Sequence, residues 1–364
     1  MQKGTIEKIA MFCDVSLEHV LGVHNVPTTY HVPVLLKSQG LVDTLRDLLK
    51  LDEIVKPQYL VDRGQKTWAE WTRLTTQQEH TFETVKIVLV GKYVTLHDSY
   101  LSVVKSLEHS AMRCGKKLDL SWVDASDLEE KARTDNPAEF HQAWHKICTA
   151  NGILVPGGFG QRGTEGMIAA ARYARENNTP YLGICLGMQI AVIEYARNVC
   201  GLSKAGSVEL DGENCPDPLV IFMPEISKTH LGGTMRLGLR PTLFQEGSEW
   251  SRLRKLYGEK TEILERHRHR YEVNPDYIDR LATAGLTFVG KDDKGERMEI
   301  IELKDHPWYV GVQFHPEYLS RVLQPSKPYL GFVAAAAGCL DKITKDLLAQ
   351  AEAELVNGAN GVKI

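Results

Sequence analysis

From residue 86 onward short apolar runs alternate with amphipathic stretches, and this alternation admits few folds besides a sheet covered by helices on both faces. Residues 86–91 (KIVLVG), 118–123, 152–156 (GILVP) and 181–184 read as buried strands; helical patterns occupy 99–113, 164–177 and 188–199. Such repeats predict an α/β fold, a mainly parallel sheet flanked by helices, with functional residues collected where strands end. The turn 157–160 (GGFG) and Cys185 both fall at such ends. Past Ala205 the pattern loosens into insertions and hairpin-like pieces until residues 308–314 (WYVGVQF) supply another strand.

The flanks are organised differently. Residues 9–12 (IAMF) give a short strand signal, a loop surrounds Pro27 and Pro33, and 40–51 is an amphipathic helix pattern. Residues 56–84 are polar and unpatterned and read as a linker, with Trp68 and Trp71 marking a packed side. Residues 341–355 are helix-prone and the Gly/Asn-rich end reads as a disordered tail. The expected division is therefore 1–55, a linker 56–84, a catalytic domain 85–345 and a tail 346–364.

Charge and cysteine usage exclude several classes. A net charge of -4 over 364 residues offers no electrostatic case for nucleic acid or a membrane surface, and no apolar run reaches the roughly 20 residues of a membrane helix. Seven cysteines, an odd number at scattered spacings, suggest neither a disulfide framework nor a CxxC metal site, and point to a reducing, cytoplasmic setting.

The chemistry concentrates in residues 183–187 (GICLG) and 313–317 (QFHPE). A cysteine between two glycines after a buried strand reads as a nucleophile on a tight strand-to-helix turn. A helix start and a nearby imidazolium both favour the thiolate. If His315 and Glu317 share a strand end, positions i and i+2 face the same way, so Glu317 orients His315 towards Cys185 while Pro316 points away. The backbone amides of Leu186 and Gly158 are suitable oxyanion donors. A lone cysteine in a βα unit is more often a buried small hydrophobe; the joint occurrence of the three motifs favours catalysis.

Residues 156–160 (PGGFG), 183–189 (GICLGMQ) and 315–317 (HPE) resemble the triad-type glutamine amidotransferases. More narrowly, 158–166 (GFGQRGTEG), 231–238 (LGGTMRLG) and 265–274 (ERHRHRYEVN) resemble the CTP synthase family, over about residues 5–340. The resemblance implies that Cys185 attacks the glutamine side-chain amide, that His315 protonates ammonia and then activates water, and that Glu317 orients His315. It places Gly158, Leu186, Gly187, Met188, Gln189, Glu209 and Arg270 around glutamine, with no cofactor needed for hydrolysis. Without it, Glu209 reads as an exposed charge and the Arg-His alternation 266–270 as a solvated strand face. His267 and His269 then make a poor metal site, because no cysteine or acid stands at suitable spacing.

In that family the loop matching 231–238 is a lid and GTP stimulates hydrolysis, which implies Phe159, Arg162 and Arg236 as nucleotide contacts. The family also carries an N-terminal amidoligase that uses ATP and Mg to activate UTP. Residues 5–51 resemble only its end, with Lys8, His24, Asn25 and Val26 near its nucleotide sites, although His24-Asn25 replaces a Lys-Asp or His-Asp pair. No Gly-rich loop with Lys-Ser or Lys-Thr stands near the start. The expectation is a glutaminase that makes no CTP alone and acts with a synthetase domain or full-length subunits in a homo-oligomer. A γ-glutamyl peptidase-like hydrolase and a non-enzymatic assembly module are the alternatives.

Overall fold

The computed structural model describes residues 2–212, 214–223 and 235–360. The chain divides into two compact units, Met1–Thr81 and Phe82–Ile364. The first is helical: α1 (Lys3–Cys13), α2 (Val32–Ser38), α3 (Leu41–Leu48) and α4 (Gln58–Glu79). Residues 9–12, expected as a strand, therefore lie inside α1; four apolar residues are too short a run for periodicity to separate the two states. Residues 58–79, expected as unpatterned linker, form a 22-residue helix. Its tryptophans do pack within the unit: Trp71 Nε1 donates to the Tyr30 carbonyl at 3.0 Å, and the Lys37 ammonium lies 4.2 Å from the Trp68 ring centroid.

The second unit is built on twelve strands: β1 (Thr84–Gly91), β2 (Lys117–Asp124), β3 (Gly152–Val155), β4 (Tyr181–Ile184), β5 (Ala205–Ser207), β6 (Asp217–Phe222), β7 (Arg236–Phe244), β8 (Glu262–His269), β9 (Tyr271–Val273), β10 (Thr287–Lys291), β11 (Met298–Glu302) and β12 (Tyr309–Val312). Nine form one sheet in the order β2-β1-β3-β4-β12-β11-β10-β7-β8, and β5-β6-β9 form a small second sheet. Strands β2 to β12 of that order are parallel, and β11, β10, β7 and β8 extend the sheet with antiparallel pairs. The looser stretch past Ala205 is thus largely a continuation of the main sheet. It escaped the strand pattern because β7 and β8 are rich in arginine and histidine.

Both faces of the parallel part are covered. Val88, Val90, Ile153 and Val155 pack on one side with α8 (Thr164–Glu176 in this chain order, after α5 Leu101–Arg113, α6 Glu130–Asp135 and α7 Pro137–Thr149) and α9 (Leu186–Asn198). Ile87, Leu89, Leu154 and Ile184 face the other side, against Val103 and Leu107 of α5 and against Tyr329, Phe332 and Val333 of the helix Lys327–Ala336. Burial on two faces explains why these strands are continuous apolar runs. The final helix spans Leu340–Asn360, so the expected helix-prone segment is helical to within four residues of the end.

Candidate active site

Cys185 follows β4 directly and is the N-cap of α9, with φ 52° and ψ -102°. A non-glycine residue at positive φ is strained, by about 1–3 kcal/mol, and the strain persists only where surroundings fix it. Here the Cys185 amide donates to the Val312 carbonyl of β12 at 2.7 Å and its carbonyl accepts from the Gln189 amide at 3.2 Å. The flanking glycines are required by crowding. A Cβ on Gly183 would lie 2.5 Å from the Gly187 carbonyl oxygen, and one on Gly187 would lie 2.0 Å from that of Val155. Both obstacles are backbone, which cannot rotate away. Gly187→Ala is therefore expected to destabilise the protein by more than about 2 kcal/mol, measured as a lower urea midpoint, with glutamate release falling in parallel.

His315 lies beyond the end of β12, and its amide donates to the Arg266 carbonyl at 2.7 Å. Residues Pro316–Leu319 form a 3-10 turn, so His315 and Glu317 are not on one strand face as expected. The turn still brings them together: His315 Nδ1 and Glu317 Oε1 are 2.7 Å apart. Burial favours neutral imidazole, but the Glu317 charge and the hydrogen bond to Cys185 outweigh it and raise the His315 pKa well above 6.5. The buried Tyr329 hydroxyl sits beside Glu317; burial first, then that carboxylate, holds the phenol above its ordinary value. Helix α5 braces the same turn, with Ser106 Oγ donating to the Glu317 carbonyl at 3.4 Å and His109 Nδ1 3.0 Å from Ser320 Oγ.

A cavity of about 180 Å³ opens over the triad, lined by Cys185, His315, Glu317, Gly157, Gly158 and Phe159, with Tyr93, Ser99, Tyr100 and Ser102 opposite. Gly157, absent from the expected pocket, is the tighter of the paired glycines. A Cβ there would lie 2.9 Å from His315 Cε1, whereas one on Gly158 meets only ordinary contacts with Leu186 and Lys92 at 3.5 and 3.6 Å. Lys92, also missed, follows β1 and its ammonium donates to the Gly160 carbonyl, which fixes the Gly-rich turn. Burial pushes its pKa down to about 8. A charged residue at the carboxyl end of a buried strand was the available signal.

Glu209 is not a free surface charge. Its Oε1 accepts from the Gly160 amide at 3.3 Å, and burial raises its pKa against the opposing pull of that bond and of Lys92 and Arg270. Glu209, Lys92 and Arg270 therefore share one electrostatic neighbourhood beside the Gly-rich turn. Gln189 joins the Cys185 side through Gln313. Met188, by contrast, is fully buried, and a Cβ on Gly311 would touch its Cγ at 3.0 Å, so its side chain faces the core rather than the cavity. Leu186 is likewise buried, which leaves backbone as what residues 186–188 can present.

The Arg-His stretch departs most from expectation. Along β8, exposure alternates, and Glu265, His267 and His269 turn inward while the arginines face out. β11 supplies the acid that spacing in sequence did not reveal: Glu299 Oε2 is 3.5 Å from His267 Nδ1, and ligating atoms of His267, His269 and Glu299 lie within 4.8 Å of one another. The cluster is tied together by its own contacts, while His267 Nε2 is buried without a hydrogen-bond partner. His267 Nδ1 is 3.2 Å from His269 Nε2, His269 Nδ1 is 3.0 Å from the Tyr271 carbonyl, and Arg236 places its guanidinium 3.2 Å from Glu299 Oε1. Burial lowers the His267 and His269 pKa values to about 2 and about 3, so both are neutral hydrogen-bonding groups.

Arg236 is thus committed to a buried carboxylate, away from the solvent role expected for it; residues 231–234 of the expected lid lie outside the described residues. Phe159 is 43% exposed, and Arg162 is held by both oxygens of Asp124 at 2.9 Å. In the first unit Lys8 is exposed on α1, and the exposed His24 ring lies 3.0 Å from the Asn25 carbonyl, beside half-buried Val26. No helix among the described residues is long and apolar enough to cross a membrane.

Comparison with known proteins agrees with this geometry. Residues 95–335 match the family of class-I glutamine amidotransferases, and residues 1–51 match the CTP synthase N-terminus. The chain is 61% identical to CTP synthase from Neurospora crassa over 351 residues, covering 96% of this chain and 60% of that protein. CTP synthase from Schizosaccharomyces pombe is 60% identical over 342 residues, covering 94% of this chain and 57% of that protein. The chain thus spans about 60% of the length of these curated relatives. Among solved structures, the glutaminase domain of Trypanosoma brucei CTPS with bound acivicin is 40% identical with a TM-score of 0.63, covering 70% of this chain and 94% of that domain. The nucleophile turn, the His-Glu pair beside it and these matches together place the chain in the class-I glutamine amidotransferase family, as the form found in CTP synthases.

Proposed function

We propose that this chain hydrolyses L-glutamine at Cys185 and supplies the ammonia with which a CTP synthase aminates UTP. The observation that carries the reading is a nucleophile turn at positive φ hydrogen-bonded to an imidazole that is itself held 2.7 Å from a buried carboxylate. Thiolate attack on the carboxamide carbon gives a tetrahedral oxyanion, for which the Leu186 and Gly158 amides are the donors. His315 then protonates the departing ammonia, leaving a thioester. Water, deprotonated by His315, adds to the thioester and expels the Cys185 thiolate and glutamate.

Glu209, half-buried beside Arg270 and Lys92, is the partner we assign to the substrate ammonium. Arg270 serves its carboxylate, and Gly187, Met188 and Gln189 shape the pocket through backbone and amide contacts. GTP is the proposed activator, stacking on Phe159 and drawing Arg162 from Asp124. Arg236, fixed on Glu299, supports the adjoining strand. ATP, Mg and UTP belong to the amination step. Lys8, His24, Asn25 and Val26 are proposed for its nucleotide side. The working assembly is a cytoplasmic homo-oligomer of synthetase and glutaminase domains, with boundaries near residues 55 and 85 and a helical tail from 346.

Acivicin, bound in the Trypanosoma brucei domain, supplies the test. Mass spectrometry after incubation should find one adduct, on the peptide carrying Cys185, and excess glutamine should slow its formation while glutamate release falls in step. Labelling at another cysteine with undiminished turnover, or faster hydrolysis of γ-glutamyl peptides than of glutamine, would refute the assignment.

A further inference from the structure

Two donors meet the sulfur of Cys185, and the mechanism above uses only one. Gln313 follows β12, is 1% exposed, and places Nε2 3.5 Å from Cys185 Sγ. The orientation of its amide is dictated by its neighbours. Gln189 Nε2 lies 3.2 Å from the Tyr271 carbonyl, which can only accept, so the nitrogen of Gln189 must face that way. The same nitrogen is 3.1 Å from the Gln313 oxygen. With its oxygen engaged by Gln189, Gln313 has only its NH₂ group to turn towards sulfur.

We infer that Gln313 is a catalytic residue whose carboxamide N–H stabilises the anionic sulfur of Cys185, both before attack and as sulfur leaves the thioester. A hydrogen bond from a neutral donor is stronger to an anion than to a neutral thiol or thioester. His315 must give its proton to ammonia and then take one from water, so it cannot hold the sulfur constantly through the cycle. Gln313 exchanges no proton. When water adds to the thioester and the C–S bond breaks, the electron pair returns to sulfur, where the Gln313 donor stands. Gln189, anchored by a backbone carbonyl, is the positioning residue that keeps Gln313 from flipping.

This inference rests on the glutaminase reading for its kinetic part only, since the sulfur contact does not require glutamine. The experiment is therefore run first with iodoacetamide, which alkylates the thiolate without using the substrate pocket chemistry. Full-length chain, Gln313→Glu and Gln313→Met are compared over a pH series, with circular dichroism reporting the fold. In both variants the alkylation profile should move about one to two pH units upward, a loss of roughly 10- to 100-fold in rate at fixed pH below the midpoint. In single turnovers with glutamine, the thioester should accumulate in the variants because its breakdown slows more than its formation.

Folded variants with an unmoved alkylation profile would overturn the inference and leave Gln313 a structural amide. Should neither variant fold, an atomic-resolution crystal structure of the unaltered protein decides: nitrogen towards Sγ supports the assignment, and oxygen towards Sγ overturns it. A shifted profile in a chain that releases no glutamate would keep the sulfur contact and reject the substrate.

Discussion

Cys185→Ala should lower glutamate release by at least about 10⁴-fold while the protein remains folded. The sulfur is the only atom at this position that can form the thioester, and no second thiol reaches the cavity among the residues that line it. Alanine fills the same small space, so loss of activity cannot be ascribed to a cavity. The backbone provides an internal control. Alanine inherits the strain at φ 52°, whereas Cys185→Gly adopts that angle freely and should be more stable than Cys185→Ala by about 1 kcal/mol in urea unfolding, yet equally inactive. Equal activity of the alanine variant and the parent chain would remove Cys185 from the mechanism.

The second large effect concerns Glu317. Its carboxylate is the foremost of the groups that raise the His315 pKa against burial, and the proposed mechanism requires His315 to be protonated when ammonia departs. A raised pKa keeps the imidazolium populated to higher pH, and activity is lost as pH climbs through that value. Glu317→Gln preserves shape and removes the charge, so the His315 pKa falls and the alkaline limb of kcat/KM should shift to lower pH by about 1–2 units. At pH values above both limbs the variant should retain about 1–10% of the parent rate. An alkaline limb that stays in place would show that another group titrates there.

Much of the parallel sheet, and the meeting of Cys185, His315 and Glu317 at one cavity, was legible in the chain because the same physics writes both. Strands buried on two faces read as apolar runs, and a nucleophile turn that tolerates no Cβ at Gly183 or Gly187 leaves glycines in the sequence. What was illegible depends on partners remote in sequence. The histidines of β8 are buried because Glu299 and Arg236, from two other strands, meet them there; no spacing within 265–274 announces this. Gln313 and Lys92 are ordinary polar residues until Gln189 and the Gly160 carbonyl fix their direction. Residues 9–12 misled for the opposite reason: four apolar residues fit a helix as readily as a strand, and α1 has the length to decide.

The parallel pairing of β4 with β12 has a consequence for the order in which this enzyme comes into being. The nucleophile turn is held by the Val312 carbonyl, yet 127 positions of chain separate residues 185 and 312. During synthesis, the cysteine emerges long before the strand whose carbonyl holds its amide and before His315, the histidine proposed to activate it. On the proposed mechanism, a chain that still lacks β12 should release no glutamate from glutamine. Reactivity on that mechanism requires β12 to be paired between β4 and β11, so the rate of acivicin capture during refolding should report that pairing.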